Sequence, residues 1–526
     1  MKVLVSDNLG EAGLEIFRAQ PGLDVDVKTG LSPDELKSII GQYHGLVIRS
    51  ATKVTADLLS AAENLKVVGR AGIGLDNVDI PEATRRGVVV MNTPGGNTVT
   101  TAEHSIAMLL SLTRKIPQGT ATLKAGKWEK KKLQGREICN KTLGVIGFGN
   151  IGSIVCDRAR GLRMQVVVYD PFVTPERIEK AGYSAVTLDE LYRVSDYITV
   201  HVPRLKETVG MLNAEAFAKM KDGVMIINCA RGGIVDENDL LEAIRSGKVA
   251  GAALDVFETE PPGDLPLLAE DSVICTPHLG ASTLEAQTNV AVAVARQIID
   301  FLVNGTIVNA VNVPSVSGEV LERMQPLLTL GEKMGSLQAQ LAEGPVSEVA
   351  IEYAGEFPGM ELAPVTTAVL KGFLSRALKD DVNFINAVVL AKERGITVTE
   401  STRKAEDDFI NLVTVSVSGE GFRRAVGGTI YGKKEPKIVR IDDFRLEMVP
   451  HGHVLLVHNE DRPGAIGSIG TLLGDAGVNI ARMTVGQEKD GDRNFIVLET
   501  DIPVPDKTLA DLRALPVVKT AVAVEL

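Results

Sequence analysis

KTLGVIGFGNIG (residues 141–152), followed by VVVYDP (residues 166–171), is the stretch from which the rest of the chain can be read. Leu143, Val145 and Ile146 form an apolar run of the length of a buried parallel strand. Gly147, Gly149 and Gly152 follow in the order G-x-G-x-x-G. In that spacing the first glycine allows a tight turn, the second lets a pyrophosphate approach the backbone, and the third lets the next helix pack on the strand. The helix expected over 152–161 aims its unpaired N–H groups at the phosphates. The second apolar run ends in Asp170, about 20 residues past the glycines, where a carboxylate accepts from ribose hydroxyls. Pro171 and Phe172 follow, not Arg or Lys. A 2′-phosphate would meet an unpaired carboxylate there, so NAD is favoured over NADP.

The chain has 526 residues, 44% hydrophobic and 24% charged, which allows three or four domains with real cores. A net charge of −12 argues against a nucleic-acid or anionic-membrane surface as partner. Cys139, Cys156, Cys229 and Cys275 have no paired or metal-ligand spacing, so reduced, mostly buried thiols in a cytoplasmic protein and no metal site are expected. MKVLVSDNLG reads as a strand and turn, not a signal peptide. The most apolar long run, 289–303, carries Arg296 and Asp300, so no membrane span is expected.

Residues 1–98 alternate strand (2–6, 23–27, 45–49, 66–70, 88–92) and helix (10–20, 32–40). The second helix has Ser32 at its N-cap and Pro33 at its first position. This is a doubly wound α/β pattern. GRAGIG (69–74) also follows a strand, but no acid-tipped strand comes after it; it reads as a backbone N–H nest for an anion. Long helices at 100–115 and 282–304 flank strands at 196–200, 223–228, 250–254 and 273–275. They suggest crossovers between two lobes with a cleft between them. Beyond residue 314 the pattern mixes helices such as 364–378 with strands such as 346–353 and 412–417. Residues 419–428 read as a glycine-spaced turn region. Residues 453–526 read strand, helix, strand, strand, helix, strand, the ferredoxin-like order.

Three residues stand at the carboxyl ends of consecutive strands of the cofactor unit, the edge where sites form. Arg231 lies in NCARGGIVD, where a guanidinium at a tight turn can hold a carboxylate bidentately. Glu260 precedes two prolines that fix an extended backbone. His278 lies in CTPHLGAST, between a buried strand and a small-residue turn. Taken singly, each has a plainer reading: a surface arginine, a solvated loop carboxylate, a histidine bonded to backbone. Together they supply what hydride transfer from a secondary alcohol needs: a base for the hydroxyl proton, an acid to orient it, and a cation for a substrate carboxylate.

LGVIGFGNIG, VHVPR, NCARGGIVDE, ALDVFETEPP and TPHLGAST make residues 1–312 resemble the D-isomer-specific 2-hydroxyacid dehydrogenases. The resemblance implies that Arg231 binds substrate, His278 is the acid/base and Glu260 its partner. It also implies NAD contacts by Asn150, Ile151, Asp170, Val202, Cys229, Ala230 and Arg231, and by Asp255, His278, Leu279, Gly280 and Ala281. The tail NEDRPGAIGSIGTLLGDAGVNI (459–480) resembles an ACT domain, an amino-acid-sensing module. With an intervening segment before it, the whole is similar to the long-form D-3-phosphoglycerate dehydrogenases. That likeness implies oxidation of 3-phosphoglycerate to 3-phosphohydroxypyruvate, the committed step to serine, in a homo-oligomer (dimer or tetramer). It also implies an effector amino acid, serine, at Asn459, Asp461 and Asn479; the plainer reading is that Asp461 caps a helix and Asn479 closes a turn. A phosphorylated substrate needs further cations. Arg49 and Arg70 are expected to hold its phosphate, with Ser50 and Asn97 beside them, and the N–H groups of Ile73 and Gly74 its carboxylate. Either arginine could instead pair with an acid such as Asp76. Trp128 and Lys130 lie in KWEKKKLQGR, which reads as a solvated basic face; the resemblance implies instead a hairpin-like arm packed on a partner subunit, with Trp128 as anchor and Lys130 near the neighbour's phosphate site.

The expected architecture is α/β: two doubly wound Rossmann-like lobes, for substrate (1–98 and 286–312) and NAD (99–285). An α+β intervening domain that binds substrate or anions allosterically (313–450) and a ferredoxin-like ACT domain (451–526) follow. The nearest rival is another D-2-hydroxyacid dehydrogenase, such as a hydroxypyruvate or glyoxylate reductase; a second is a non-catalytic NAD-sensing protein.

Overall fold

The computed structural model of the protein describes residues 1–313, 318–357, 360–378, 382–405, 409–432, 434–487 and 493–526. The first lobe holds β1 (Lys2–Val5), β2 (Asp24–Val27), β3 (Gly45–Ile48), β4 (Val67–Arg70) and β5 (Val89–Met91). They form one parallel sheet in the order β2-β1-β3-β4-β5. Valine, leucine and isoleucine face both ways along the central strands because helices cover both faces. The helix after β2 begins as its capping signal requires: Ser32 Oγ accepts from Glu35 N–H and Glu35 returns to the Ser32 N–H.

The chain leaves this lobe through helix Thr98–Arg114 and returns through helix Leu284–Asn304. Val290, Val294 and Ile298 of the returning helix share a core with Val3, Val5 and Val67. Between the two helices lie β6 (Thr142–Ile146), β7 (Gln165–Tyr169), β8 (Ser184–Ala185), β9 (Tyr197–Val200), β10 (Val224–Asn228), β11 (Val249–Leu254) and β12 (Val273–Cys275). All are parallel, in the order β12-β11-β10-β9-β6-β7-β8. The order reverses at β6, which opens a crevice at the carboxyl ends of β6 and β9, and the first lobe faces it.

The next sheet contains β13 (Val346–Gly355), β14 (Thr397–Arg403), β15 (Asn411–Gly419), β16 (Phe422–Tyr431), β17 (Glu435–Ile441) and β18 (Phe444–Met448), in the order β14-β13-β15-β16-β17-β18. Helices Gly318–Leu341 and Ala363–Leu378 bury Leu330, Met334, Val365 and Val369 against it. The expected turn region at 419–428 is corrected here: only residues 420 and 421 turn, and Phe422–Gly428 belongs to a strand paired antiparallel with β15. A Cβ on Gly428 would come within 2.8 Å of Leu330 Cδ1 and Met334 Sδ. The glycine marks close helix packing on a strand, not a turn. The last four strands, β19 (His453–Glu460), β20 (Ile480–Gln487), β21 (Arg493–Thr500) and β22 (Val518–Glu525), form an antiparallel sheet in the order β20-β21-β19-β22.

Two smaller expectations also change. Residues 127–136 carry a 3-10 turn (Lys130–Leu133) and an exposed Trp128, in place of a hairpin-like arm. Cys156 and Cys229 are buried, but Cys139 and Cys275 are exposed, so only half of the thiols are covered. Among the described residues no helix is long and apolar enough to cross a membrane.

Candidate active site

The crevice at the switch point is built from the glycine turn upward. Gly147 has a φ of 96°, and its missing side chain makes room for the His201 carbonyl. A Cβ on Gly152 would stand 1.9 Å from the Gly147 carbonyl oxygen, so the strand–turn–helix junction closes only without side chains. Gly149 differs: nothing lies within 4 Å of where its Cβ would be. That open flank faces the cleft directly before helix Asn150–Gly161, which begins two residues earlier than expected. A free backbone surface at a helix N-terminus suits a pyrophosphate. At the tip of β7, Asp170 accepts from Phe148 N–H (2.7 Å) and Phe172 N–H (2.8 Å). These bonds hold its carboxylate beside the glycine turn, with lone pairs left for ribose hydroxyls.

The cleft has a volume of about 500 Å³ and takes walls from both lobes. On one wall, His278 Nδ1 lies 2.7 Å from Glu260 Oε2, and Glu260 Oε1 accepts from Phe257 N–H at 3.2 Å. His278 has a φ of 54°, the left-handed region that a β-carbon disfavours. Its N–H is fixed by the Asp255 and Thr276 carbonyls at 2.9 and 3.0 Å. On the same wall, Arg231 follows β10; the Asn228 side chain bonds the backbone of Ala230 and Arg231 and shapes the turn. Arg231 Nη1 donates to the Ala230 carbonyl (2.6 Å), while Nε reaches Asp76 Oδ2 in the opposite lobe (3.1 Å). Asp76 therefore pairs with Arg231, not with Arg49 or Arg70.

The opposite wall carries Arg49, Ser50, Arg70, Ile73, Gly74 and Asn97. Arg70 Nε donates to the Arg49 carbonyl at 3.2 Å, but its buried Nη1 has no hydrogen-bond partner among the described residues. Burial, reinforced by Arg231 and opposed by Asp76 and Asp7, pulls the Arg70 guanidinium down to about 10. A buried N–H without an acceptor is costly, and an anion in the cleft would satisfy it. Asn97 Oδ1 is likewise buried without a partner among the described residues.

Of the expected cofactor residues, Gly149, Asn150, Ile151, Val202, Cys229, Ala230, Asp255, Gly280 and Ala281 line this one cleft with His278 and Arg231. Gly147 and Gly152 lie beneath it, and Asp170 marks the outer end. Leu279 contributes its N–H to Asp255 Oδ1 (2.7 Å). Burial pushes the Cys229 thiol up to about 12, so it meets the cleft as a neutral wall. Lys130 stands apart, on the exposed 3-10 turn. Asn459 and Asp461 lie at one end of the last sheet, but Asn479 precedes β20 at the opposite end, so the three expected effector residues are not brought together within this chain. Asn459 is buried, and its Oδ1 has no partner among the described residues; the Asn479 N–H donates to Asp501 Oδ1 at 2.9 Å. Asp461 does not cap the next helix, which starts after Gly464 with no side-chain cap.

Sequence reasoning missed His201 and His104, and it paired Asp76 with Arg49 or Arg70 instead of Arg231. His201 lines the cleft with Nε2 2.9 Å from Thr199 Oγ1, and burial lowers its imidazole to about 4. It stood in view within VHVPR. His104 sits on helix Thr98–Arg114, and nothing local marks it. Among the described residues no cluster of His, Cys, Asp and Glu could hold a metal ion.

Three family descriptions match: "D-isomer specific 2-hydroxyacid dehydrogenase, NAD binding domain" over residues 106–280, "D-3-phosphoglycerate dehydrogenase intervening domain" over 323–442, and "ACT domain" over 453–517. The chain is 45% identical to the D-3-phosphoglycerate dehydrogenase of Archaeoglobus fulgidus, covering 100% of each. It is 42% identical to that of Bacillus subtilis, covering 100% of this chain and 99% of the other. Among solved structures, D-lactate dehydrogenase from Aquifex aeolicus, complexed with NAD and lactic acid, is similar (TM-score 0.54, 30% identity, 59% of this chain and 100% of that one). So is a glyoxylate reductase from Paecilomyes thermophila (TM-score 0.55, 28% identity, 59% of this chain and 98% of that one).

Proposed function

Because this chain belongs to the D-3-phosphoglycerate dehydrogenase family, we propose that its cleft oxidises D-3-phosphoglycerate to 3-phosphohydroxypyruvate with NAD, the first step of L-serine synthesis. The observation that carries this reading is the His278–Glu260 pair opening on the same cleft as Arg231.

The residues present fit NAD: an open glycine flank at a helix N-terminus, and an acid at the tip of the second strand. Gly147, Gly149, Asn150, Ile151 and Gly152 cradle the pyrophosphate, and Asp170 takes the ribose. Val202, Cys229, Ala230, Asp255, Leu279, Gly280 and Ala281 form the wall around the nicotinamide half. NAD, when bound, supplies the acceptor for the hydride leaving C2 of the substrate. The Glu260 carboxylate accepts from His278 Nδ1–H, so Nε2 keeps a lone pair facing the cleft. That nitrogen takes the C2 hydroxyl proton as the carbonyl forms. Arg231, with the N–H groups of Ile73 and Gly74, holds the carboxylate. Arg49 and the unpartnered Nη1 of Arg70 hold the phosphate, with Ser50 and Asn97 beside them. Lys130 and Trp128 serve a neighbouring subunit in a homo-oligomer, a dimer or tetramer.

The substrate lobe takes residues 1–98 and 286–312 and the NAD domain 99–285. Residues 313–450 form an intervening domain for allosteric substrate or anion binding, and 451–526 the regulatory ACT domain. L-serine is the effector there, at Asn459, Asp461 and Asn479, and the protein works in the cytoplasm. NADH formation from NAD and D-3-phosphoglycerate tests the reading. Faster NADH consumption with glyoxylate or hydroxypyruvate would favour the reductase alternative, as the similar glyoxylate reductase structure suggests. NADH binding without turnover of any 2-hydroxy acid would favour the non-catalytic one.

A further inference from the structure

His278 owes its place to a buried carboxylate one strand away. Asp255, at the end of β11, is fully buried. Its Oδ1 accepts from Thr276 Oγ1 (2.6 Å) and Leu279 N–H (2.7 Å), and its Oδ2 from Gly280 N–H (2.8 Å). The Asp255 main-chain carbonyl takes the N–H of His278 itself. One residue thus gathers Thr276, His278, Leu279 and Gly280, the turn that holds His278 in its left-handed conformation. A carboxylate this deep is stable as an anion only if enough donors meet it. Burial alone would raise its pKa, yet hydrogen bonds led by the one from His104, then Thr276 and Leu279, hold it below the usual range. His104 Nε2 lies 3.2 Å from Asp255 Oδ1 and 3.2 Å from Thr276 Oγ1. It reaches them from helix Thr98–Arg114, and it is absent from the lining of the cleft. From the same helix Thr101 Oγ1 donates to the Gly280 carbonyl at 2.9 Å.

We propose that His104 is a positioning residue for the hydride-transfer reaction: its Nε2–H anchors Asp255 and Thr276, and through them sets the turn that presents His278 to the substrate. The proposal rests on His278 being the proton acceptor. It makes the crossover helix between the lobes a structural part of the acid/base apparatus. Removing the donor leaves a buried carboxylate short of a partner, and the turn shifts to compensate. The effect falls chiefly on the alignment of His278: the glycine turn and Asp170, which grip the pyrophosphate and ribose, lie on other strands and keep their contacts.

The test compares wild type, His104→Leu and His104→Gln in the full-length chain. It measures kcat and KM with D-3-phosphoglycerate, and NADH affinity by fluorescence. Leucine keeps bulk without a donor, whereas glutamine restores an N–H. The expected result is a fall in kcat of about 10- to 100-fold for His104→Leu. NADH affinity and the substrate KM stay within about 3-fold, and His104→Gln recovers most of kcat. If His104→Leu does not fold, Thr276→Val removes a second donor to the same carboxylate oxygen and is expected to show the same split. An unchanged kcat in the folded variants would overturn the proposal, as would equal losses of kcat and NADH affinity without rescue by glutamine. Wild type without activity on 3-phosphoglycerate would instead overturn the functional reading beneath it.

Discussion

Arg231 and Asp76 meet across the cleft, Nε to Oδ2 at 3.1 Å, and so tie the substrate lobe to the cofactor lobe at the point where a substrate carboxylate must enter. The pair leaves the Nη2 edge of the guanidinium against Gly74, where a Cβ would lie 1.9 Å from Nη2 and 2.9 Å from Arg70 Nη1. Gly74→Ala therefore displaces two long side chains, not backbone. The protein is expected to fold normally while KM for 3-phosphoglycerate rises about 10-fold or more, the scale of one charged hydrogen bond. Steady-state kinetics beside a thermal melt check this; a normal KM would show that Arg231 does not hold the carboxylate.

Two glycines of the same loop are expected to fail in opposite ways. Gly149→Ala puts a methyl into open space, so stability stays within about 0.5 kcal/mol while NADH binding weakens at least several-fold. Gly152→Ala drives a methyl into the Gly147 carbonyl, and the domain loses several degrees of Tm before binding is considered. Melting curves with and without NADH separate the two. Equal destabilisation by both substitutions would mean that the second glycine serves the fold alone.

Asp170 sets the choice of dinucleotide. Asp170→Ala removes the acceptor for the ribose hydroxyls and the carboxylate that would repel a 2′-phosphate. Affinity for NAD is expected to fall about 10-fold and the preference over NADP to narrow by a similar factor. Its bonds to Phe148 and Phe172 N–H also go, so the glycine turn loosens. Titration with each cofactor measures the ratio, and an unchanged ratio would move the discrimination elsewhere.

His201 makes the cofactor domain sensitive to acid. Burial holds its imidazole down to about 4, against 6.5 ordinarily. Between those values the unfolded chain binds a proton that the folded chain refuses. The contribution of the neutral imidazole is complete above pH 6.5 and is lost as the pH falls towards 4, a total of order 3 kcal/mol. His201→Asn is expected to flatten the decline in stability across that window, as measured by denaturant unfolding at several pH values. An identical slope would assign the decline to other groups.

The parts of this molecule legible in the sequence are those whose contacts are local. GFGNIG and Asp170 lie within one strand–helix–strand unit, so spacing alone places the acid beside the glycine turn. Arg231, Glu260 and His278 are legible as chemical types at strand ends; their convergence follows from β10, β11 and β12 lying side by side in parallel. Asp76 is legible as an ion-pairing acid, but its partner is not, because Arg231 lies 155 positions away in the other lobe. His104 is hidden for the same reason: its anchor points, Asp255 and Thr276, come from the opposite end of the cofactor unit. Residues 419–428 were misleading because glycine marks a turn and a tightly packed strand alike, and only Leu330 and Met334, from a distant helix, decide between them.

The most direct test of the account is the turnover of D-3-phosphoglycerate and NAD by His278→Asn beside wild type, with NADH affinity measured on both. An imidazole that takes the hydroxyl proton predicts a fall in kcat of about 100- to 10,000-fold with NADH binding retained. A His278→Asn protein that forms NADH at the wild-type rate would contradict it.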